Sequence, residues 1–229
     1  MKKIVAAFLL ITAFGFAQEK TTRNVGDFTT VKVFDKISVQ LIEASETKVE
    51  LSGVRSSDVE LVNKNGELKI RMPFPKLLKG EEVTAIVYYK RLEGVEASEG
   101  AYVSSPATFN AIAFDVNAKE GAEIRLTLDT KRATVKASSG AVVRLTGKAQ
   151  NQDIVVSSGA IVKASSLEGE QTVVVVNAGG EADVTATDLV DAKTRAGGTI
   201  TVYGNPKQLN TKTVAGGNIR QHNLGKVSN

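Results

Sequence analysis

Apolar and polar residues alternate with period two through most of the chain beyond residue 95. After Gly121 the apolar positions are Ala122, Ile124 and Leu126, with Glu123 and Arg125 between them. After Gly140 they are Ala141, Val143 and Leu145, and after Gly159 they are Ala160, Val162 and Ala164. The residues ahead of each glycine follow the same rule, as in Val116/Ala118, Val135/Ala137, Ile154/Val156 and Val174/Val176. Period two is the mark of a strand with one buried face. Each unit therefore predicts two strands that meet near a glycine. Polar stretches such as Lys148-Ala149-Gln150-Asn151-Gln152 and Gly204-Asn205-Pro206-Lys207 are the expected second joins.

The unit repeats. Small pairs stand at Gly100-Ala101, Gly121-Ala122, Gly140-Ala141, Gly159-Ala160, Gly179-Gly180, Gly197-Gly198 and Gly216-Gly217, at steps of 21, 19, 19, 20, 18 and 19 residues. A unit this short cannot bury an apolar face alone, whereas stacked copies pile equivalent side chains into columns. The pattern predicts an all-β fold: a right-handed parallel β-helix, or β-solenoid, with coils of about 19 residues. The hand follows from the strong preference of parallel crossovers. A β-sandwich also yields alternating strands, but it gives no reason for a small pair at a fixed interval. Glycine suits a sharp corner with positive φ, and its small neighbour suits the cramped inner side of that corner.

The rest of the chain is less regular. Lys2 and Lys3, the apolar run from Ile4 to Phe16 and the small residue Ala17 predict a cleaved secretory signal peptide over residues 1–17. Residues 18–95 hold alternating runs at Thr30–Phe34, Ile37–Ile42, Lys48–Leu51, Glu67–Met72 and Val83–Tyr89. They form either irregular coils or a cap, and Asn65-Gly66 reads as a hairpin turn. Pro73-Phe74-Pro75 starts a loop. Regular coils are expected over 96–220 and a polar tail over 221–229.

Composition narrows the chemistry. The chain has no Cys, no Trp and one His, His222, so thiolate chemistry and any mechanism needing two imidazoles are excluded. The formal charge is +4, and losing Lys2 and Lys3 leaves +2, without a basic run, which argues against nucleic acid as a partner. No apolar segment beyond the leader is long enough to cross a membrane as a helix, so an exported protein of the periplasm, outer surface or medium is expected. No cofactor or metal site is expected either, since the GGxGxD calcium repeat is absent and no helix follows the glycine pairs. The carboxylate pairs Glu181/Asp183 and Asp188/Asp191 are the best candidates for glycoside chemistry, but they read more simply as solvated charges.

Two sets of outward residues stand apart. Arg125, Arg144 and Lys163 fall in one column beside Val142 and Ile161, a basic ladder with an apolar neighbour. Val155, Val173 and Val175 cluster on the other side of the corner. Stacked like charges invite an anionic partner, and a contiguous apolar patch invites an interface. The expected partner is a surface glycan or an envelope protein, with a homo-oligomer as the alternative and a carbohydrate-active enzyme as the third reading.

The order of motifs resembles the head GIN domain family of auto-transporter adhesins, found in envelope proteins of Bacteroidetes-type bacteria. The matching phrases are Ala17-Gln18, Val25-Gly26-Asp27-Phe28, Val31-Lys32-Val33, Ile37-Ser38-Val39-Gln40-Leu41 and Gly66-Glu67-Leu68-Lys69-Ile70. The SSGA and AGG phrases and Gly216-Gly217-Asn218-Ile219 complete the set. The resemblance spans roughly residues 24–220. It implies a right-handed parallel β-helix, a role in adhesion or surface binding, and no catalytic residues.

Overall fold

The computed structural model describes residues 20–222. The signal peptide expected over 1–17 and most of the expected polar tail lie outside the described residues. In chain order the strands are β1 (Thr21–Asn24), β2 (Thr30–Val33), β3 (Ser38–Glu43), β4 (Lys48–Ser52), β5 (Glu60–Lys64), β6 (Glu67–Arg71), β7 (Thr84–Tyr89), β8 (Gly94–Ala97) and β9 (Tyr102–Ala118). There follow β10 (Glu123–Ala137), β11 (Val142–Val156), β12 (Ile161–Glu168), β13 (Gln171–Asn177), β14 (Glu181–Thr185), β15 (Leu189–Arg195), β16 (Thr199–Tyr203), β17 (Gln208–Val214) and β18 (Asn218–Gln221). One short 3-10 helix, Ser56–Asp58, sits between β4 and β5.

The strands stack as a β-solenoid with two main faces that meet at the repeated corner. One face runs β6–β2–β8, then through the C-terminal half of β9, β10, β11, β13, β15 and β17. The other runs β7–β3, then through the N-terminal half of β9, β10, β11, β12, β14, β16 and β18. All of these pairs are parallel, and the registers are those the 19-residue count predicts: Val135 lies beside Ile154, and Val143 beside Val162.

Each corner is a four-residue turn with two central residues at positive φ. In Ser138-Ser139-Gly140-Ala141, Ser139 has φ 53° and Gly140 φ 73°. The N–H of Ala141 donates to the carbonyl of Ser138 at 3.2 Å. This is the type I′ geometry, which reverses a chain without splaying twisted strands. The small inward neighbour is explained as well: Ala101, Ala122, Ala141 and Ala160 are fully buried. The inward columns predicted on both sides of the corner form one continuous core, apart from Thr211 and Thr213 of the last coil, which are exposed.

One of the two expected joins needs correction. The Lys148–Gln152 stretch is not a turn between strands. It lies inside β11, which continues from Val142 to Val156 and bends to round the edge opposite the corner. Backbone pairing to β10 persists through Thr130–Ala149 and Arg132–Asn151, and that pairing keeps the polar stretch extended. Gly204-Asn205-Pro206-Lys207 does separate two strands, β16 and β17.

Of the stretch expected over 18–95, residues 20–95 supply both coils and a cap. Asp35 and Lys36, at φ 60° and 64°, take the two central corner positions between β2 and β3, so a full coil exists where no glycine marks it. The next turn, β6 and β7, packs outside that coil although it comes later in sequence. Antiparallel β4 on β7, β1 on β4 and β5 on β6 then close this end, with Asn65-Gly66 as the β5–β6 hairpin turn. Antiparallel closure changes the hydrogen-bonding pattern and blunts the parallel edge.

Candidate functional site

The main hollow lies on the bent edge opposite the corners. Its floor is a column of small side chains, Ala111, Thr130 and Ala149 in direct register, continued by Gly169. Gly169 is closely packed there: a Cβ would stand 2.3 Å from Gln152 Nε2 beneath it, so the Gln152 amide would have to shift. The Gln152 amide is buried and donates to the carbonyls of Leu167 at 3.0 Å and Thr185 at 3.4 Å, tying successive coils under the floor.

Two polar columns wall this floor. On one side Asn110, Asp129, Lys148 and Glu168 follow one another in register. On the other, Lys131 and Gln150 lead to Glu170, whose N–H donates to the Gln150 carbonyl at 2.9 Å. The hollow is open to solvent and holds about 650 Å³. Four coils at strand spacing make the columns ~14 Å long. A second hollow of about 610 Å³ shares Asn110 and Ala111 and extends the groove toward Arg91 and Ile112, whose side chain is 78% exposed.

Charge in the groove is mixed. Asp129, Glu168 and Glu170 share the lining with Lys131 and Lys148. The neighbouring ion pairs, Arg132 to Asp153 at 3.6 Å and Lys207 to Asp188 at 2.7 Å, draw on residues outside the lining. Asp188 holds the Lys207 ammonium above the ordinary lysine value, first by its hydrogen bond and then by charge. Among the described residues no ion pair joins the five charged side chains of the groove to one another, so their donors and acceptors face solvent.

The basic ladder is in register: Arg125 lies beside Arg144, Arg144 beside Lys163, and Lys163 beside Asp183. It is not a stripe of one sign. Glu123 Oε1 accepts from Arg144 Nε at 3.1 Å and from Arg125 at 3.3 Å, and Asp183 follows Lys163 in the column. Val142 and Ile161 are direct neighbours, half-buried among the longer side chains around them. Val155 pairs with Val175, and Val173, beside Asp153, lies two residues before Val175 on the same face of β13. Val155 is 41% and Val173 44% exposed, so the N-terminal segment does not cover them. Lys136 and Lys193 bound the valines in the same column. Partial desolvation, and after it Arg195 and Lys212, holds the Lys193 ammonium below its usual value.

Glu181 and Asp183 project from the flat face of β14, and Asp188 is held by Lys207. Neither predicted carboxylate pair lines the groove. Among the described residues no group of three or more His, Cys, Asp or Glu is placed to hold a metal ion.

Sequence reasoning missed the groove, although its signal was present. Ala111, Thr130, Ala149 and Gly169 recur at steps of 19, 19 and 20, the period of the corners. A second small-residue column at the repeat distance marks a second place where the coil wall draws inward.

Stacked coils carrying a lateral polar groove define the fold as a β-solenoid. The chain belongs to the family described as "Putative auto-transporter adhesin, head GIN domain", whose model matches residues 27–206. None of the curated proteins is a significant match. Among solved structures, the chain is similar to a "putative adhesin" from Bacteroides fragilis, with a TM-score of 0.83 and 16% identity over 91% of this chain and 98% of that one. It is also similar to a "putative adhesin" from Parabacteroides distasonis, with a TM-score of 0.70 and 17% identity over 89% and 96%. A third, named "Putative lipid binding protein", is from the same species, with a TM-score of 0.66 and 13% identity over 90% and 96%. At these identities the likeness speaks for the fold. Among the described residues no helix is long and apolar enough to cross a membrane.

Proposed function

We propose that the protein is an exported, non-enzymatic adhesin-like module that binds an extended glycan of the cell envelope or of a neighbouring surface along the lateral groove. The observation that carries this reading is the pair of polar columns, whose charged side chains make no ion pair with one another among the described residues, flanking a floor of small side chains. Donors and acceptors recur there at strand spacing, ~4.8 Å, a rhythm suited to a polymer of hydroxyl-bearing rings. Mixed charge of nearly zero balance favours a neutral or zwitterionic chain over a polyanion. The ladder of Arg125, Arg144 and Lys163 is less suited to a polyanion than its sequence suggests, because Glu123 and Asp183 offset it. Membership of an adhesin family and of a surface or secreted class supports the same reading.

The alternative is an assembly protein that associates through Val155, Val173 and Val175. The exposure of these valines favours it. Three side chains fall well short of the ~800 Å² per partner that a stable interface needs.

The test uses the chain from Gln18 onward. Its binding to a panel of neutral and acidic glycans would be measured by calorimetry, with light scattering on the protein alone. Saturable binding by a monomer, little changed by salt and lost in Lys148→Ala/Gln150→Ala, is the expected result. Binding that survives that change but is lost in Arg144→Glu/Lys163→Glu would move the site to the ladder. A defined oligomer that Val155→Asp/Val175→Asp dissociates, with no glycan bound, would favour assembly.

A further inference from the structure

The chain raises an apolar tip at its N-terminal end that the fold itself does not use. Between β6 and β7 the corner is replaced by a longer loop, Met72-Pro73-Phe74-Pro75-Lys76-Leu77-Leu78-Lys79-Gly80. Phe74 is 83% exposed, and Leu77 and Leu78 are nearly half exposed. Val54, at 81%, stands on the adjoining turn, whose Gly53 is pressed so closely against the Glu82 carbonyl that no Cβ would fit. These four are among the nine large apolar side chains exposed on the described residues, so the exposure is concentrated rather than scattered.

The loop is held in place. The Asp35 carboxylate is buried, and it accepts the Met72 N–H at 2.9 Å and the Leu78 N–H at 2.8 Å. The Asp35 carbonyl accepts the Gly80 N–H at 3.0 Å, and Lys76 pairs with Asp58 at 2.8 Å. Leu78 adopts φ +61°, a conformation disfavoured for a leucine. A buried carboxylate and a strained leucine thus fix a loop whose largest side chain points into water. The loop lines neither hollow of the groove. It suits a partner that yields around it.

We infer that this tip docks the solenoid end-on to an anionic lipid bilayer. Phe74, Leu77, Leu78 and Val54 would enter the acyl boundary, with Lys76 and Lys79 among the headgroups. Apolar side chains interleaved with lysines are the composition of segments that lie in a membrane interface. No acid occurs from Met72 to Gly80, and Lys79 adds a second positive charge to Lys76, which Asp58 only partly offsets at the base of the loop, so the loop matches a negative surface. The acids just beyond are partly engaged, Glu81 with Lys36 at 3.2 Å. This inference is independent of the groove reading, because the groove lies on a side edge and shares none of these residues.

The absence of Trp gives a silent background for the experiment. Phe74→Trp in the chain from Gln18 onward would be titrated with vesicles of phosphatidylethanolamine and phosphatidylglycerol, and with vesicles of phosphatidylcholine alone. The expected result is a blue-shifted emission with the anionic vesicles, quenched by brominated acyl chains, and a weaker change with the neutral ones. In co-sedimentation, Phe74→Asp/Leu77→Asp should lose about tenfold or more in affinity, since two buried apolar groups are removed. Val214→Asp, at an exposed site on β17 of the last coil, should bind as wild type, and all variants should melt together. No spectral change with either vesicle would overturn the inference. So would sedimentation of the double variant equal to wild type, or loss of a wild-type dimer in that variant without any vesicle binding.

Discussion

The N–H of Gly140 donates to the carbonyl oxygen of Ser158 in the next coil, at 3.1 Å. The same bond recurs from Lys36 to Glu99, Gly100 to Glu120 and Gly121 to Ser139, at 2.9–3.0 Å. The corners are therefore bonded coil to coil, and the turn is part of the ladder rather than a break in it.

This separates two kinds of glycine. At Gly140 an added Cβ meets nothing within 4 Å, so Gly140→Ala bears only the left-handed backbone penalty, about 1–2 kcal/mol. At Gly147, φ is +99° and a Cβ would lie 2.1 Å from the Leu128 carbonyl oxygen. Gly147→Ala should lose about 3 kcal/mol or more, because backbone must move in a bonded strand. Urea denaturation of the two variants checks the order.

Burial alternates by one residue on the strand after the corner. Val143 is fully buried, while its neighbour Val142 is half-buried on the outer face. Val143→Asp should prevent folding, since an unpaired charge cannot be kept in the core. Val142→Asp should stay within about 1 kcal/mol of wild type. Circular dichroism and thermal melting distinguish the outcomes.

Glu99 supplies a pH test. Burial raises its carboxyl above the ordinary glutamate value, and the neighbouring Asp35 charge adds to the effect. A raised carboxyl pKa in the folded state means that folding is opposed by ionisation. The penalty is absent below the unfolded value, develops as pH rises through the folded one and is complete above it. Glu99→Gln should thus stabilise the protein at pH 7 and have little such effect at pH 4. Melting temperatures across that range give the sign.

Glu123 governs how basic the ladder is. Glu123→Gln releases Arg144 and Arg125 together and should raise the salt needed to elute the protein from a sulfated polysaccharide column. Arg144→Glu/Lys163→Glu should lower it. Stability should change by less than about 1 kcal/mol in either case, because these ion pairs are half open to water.

The coil period was legible because a type I′ corner needs a residue that tolerates positive φ, and glycine occupies it from Gly100 onward. The coil of β2 and β3 was not legible by that rule. Asp35 and Lys36 hold the same geometry without glycine, and Ile37 fills the inward place that alanine takes elsewhere. The larger side chain fits because Gly80 of the β6–β7 loop lies against it, where a Cβ would meet Ile37 Cγ1 at 2.5 Å. Nothing local to Ile37 announces that contact across 43 positions. The outer placement of β6 and β7 was equally hidden, since chain order and stacking order differ there. For the binding faces, register was readable but neighbours were not. The column Arg125–Arg144–Lys163 follows from counting, whereas the bond from Arg144 to Glu123 crosses to a different column of the adjacent coil.

The coil-to-coil bonds also give the molecule a direction of mechanical strength. They run along the stacking axis, from corner, face and bent edge alike, so a pull along that axis loads every bond of a junction at once. A pull on the last coil from the side would open its bonds in succession, beginning at β17 and β18, which have no strand beyond them among the described residues. A tether seated across several coils of the groove therefore draws on the rod where it is reinforced, and one attached at the C-terminal edge would unravel it turn by turn.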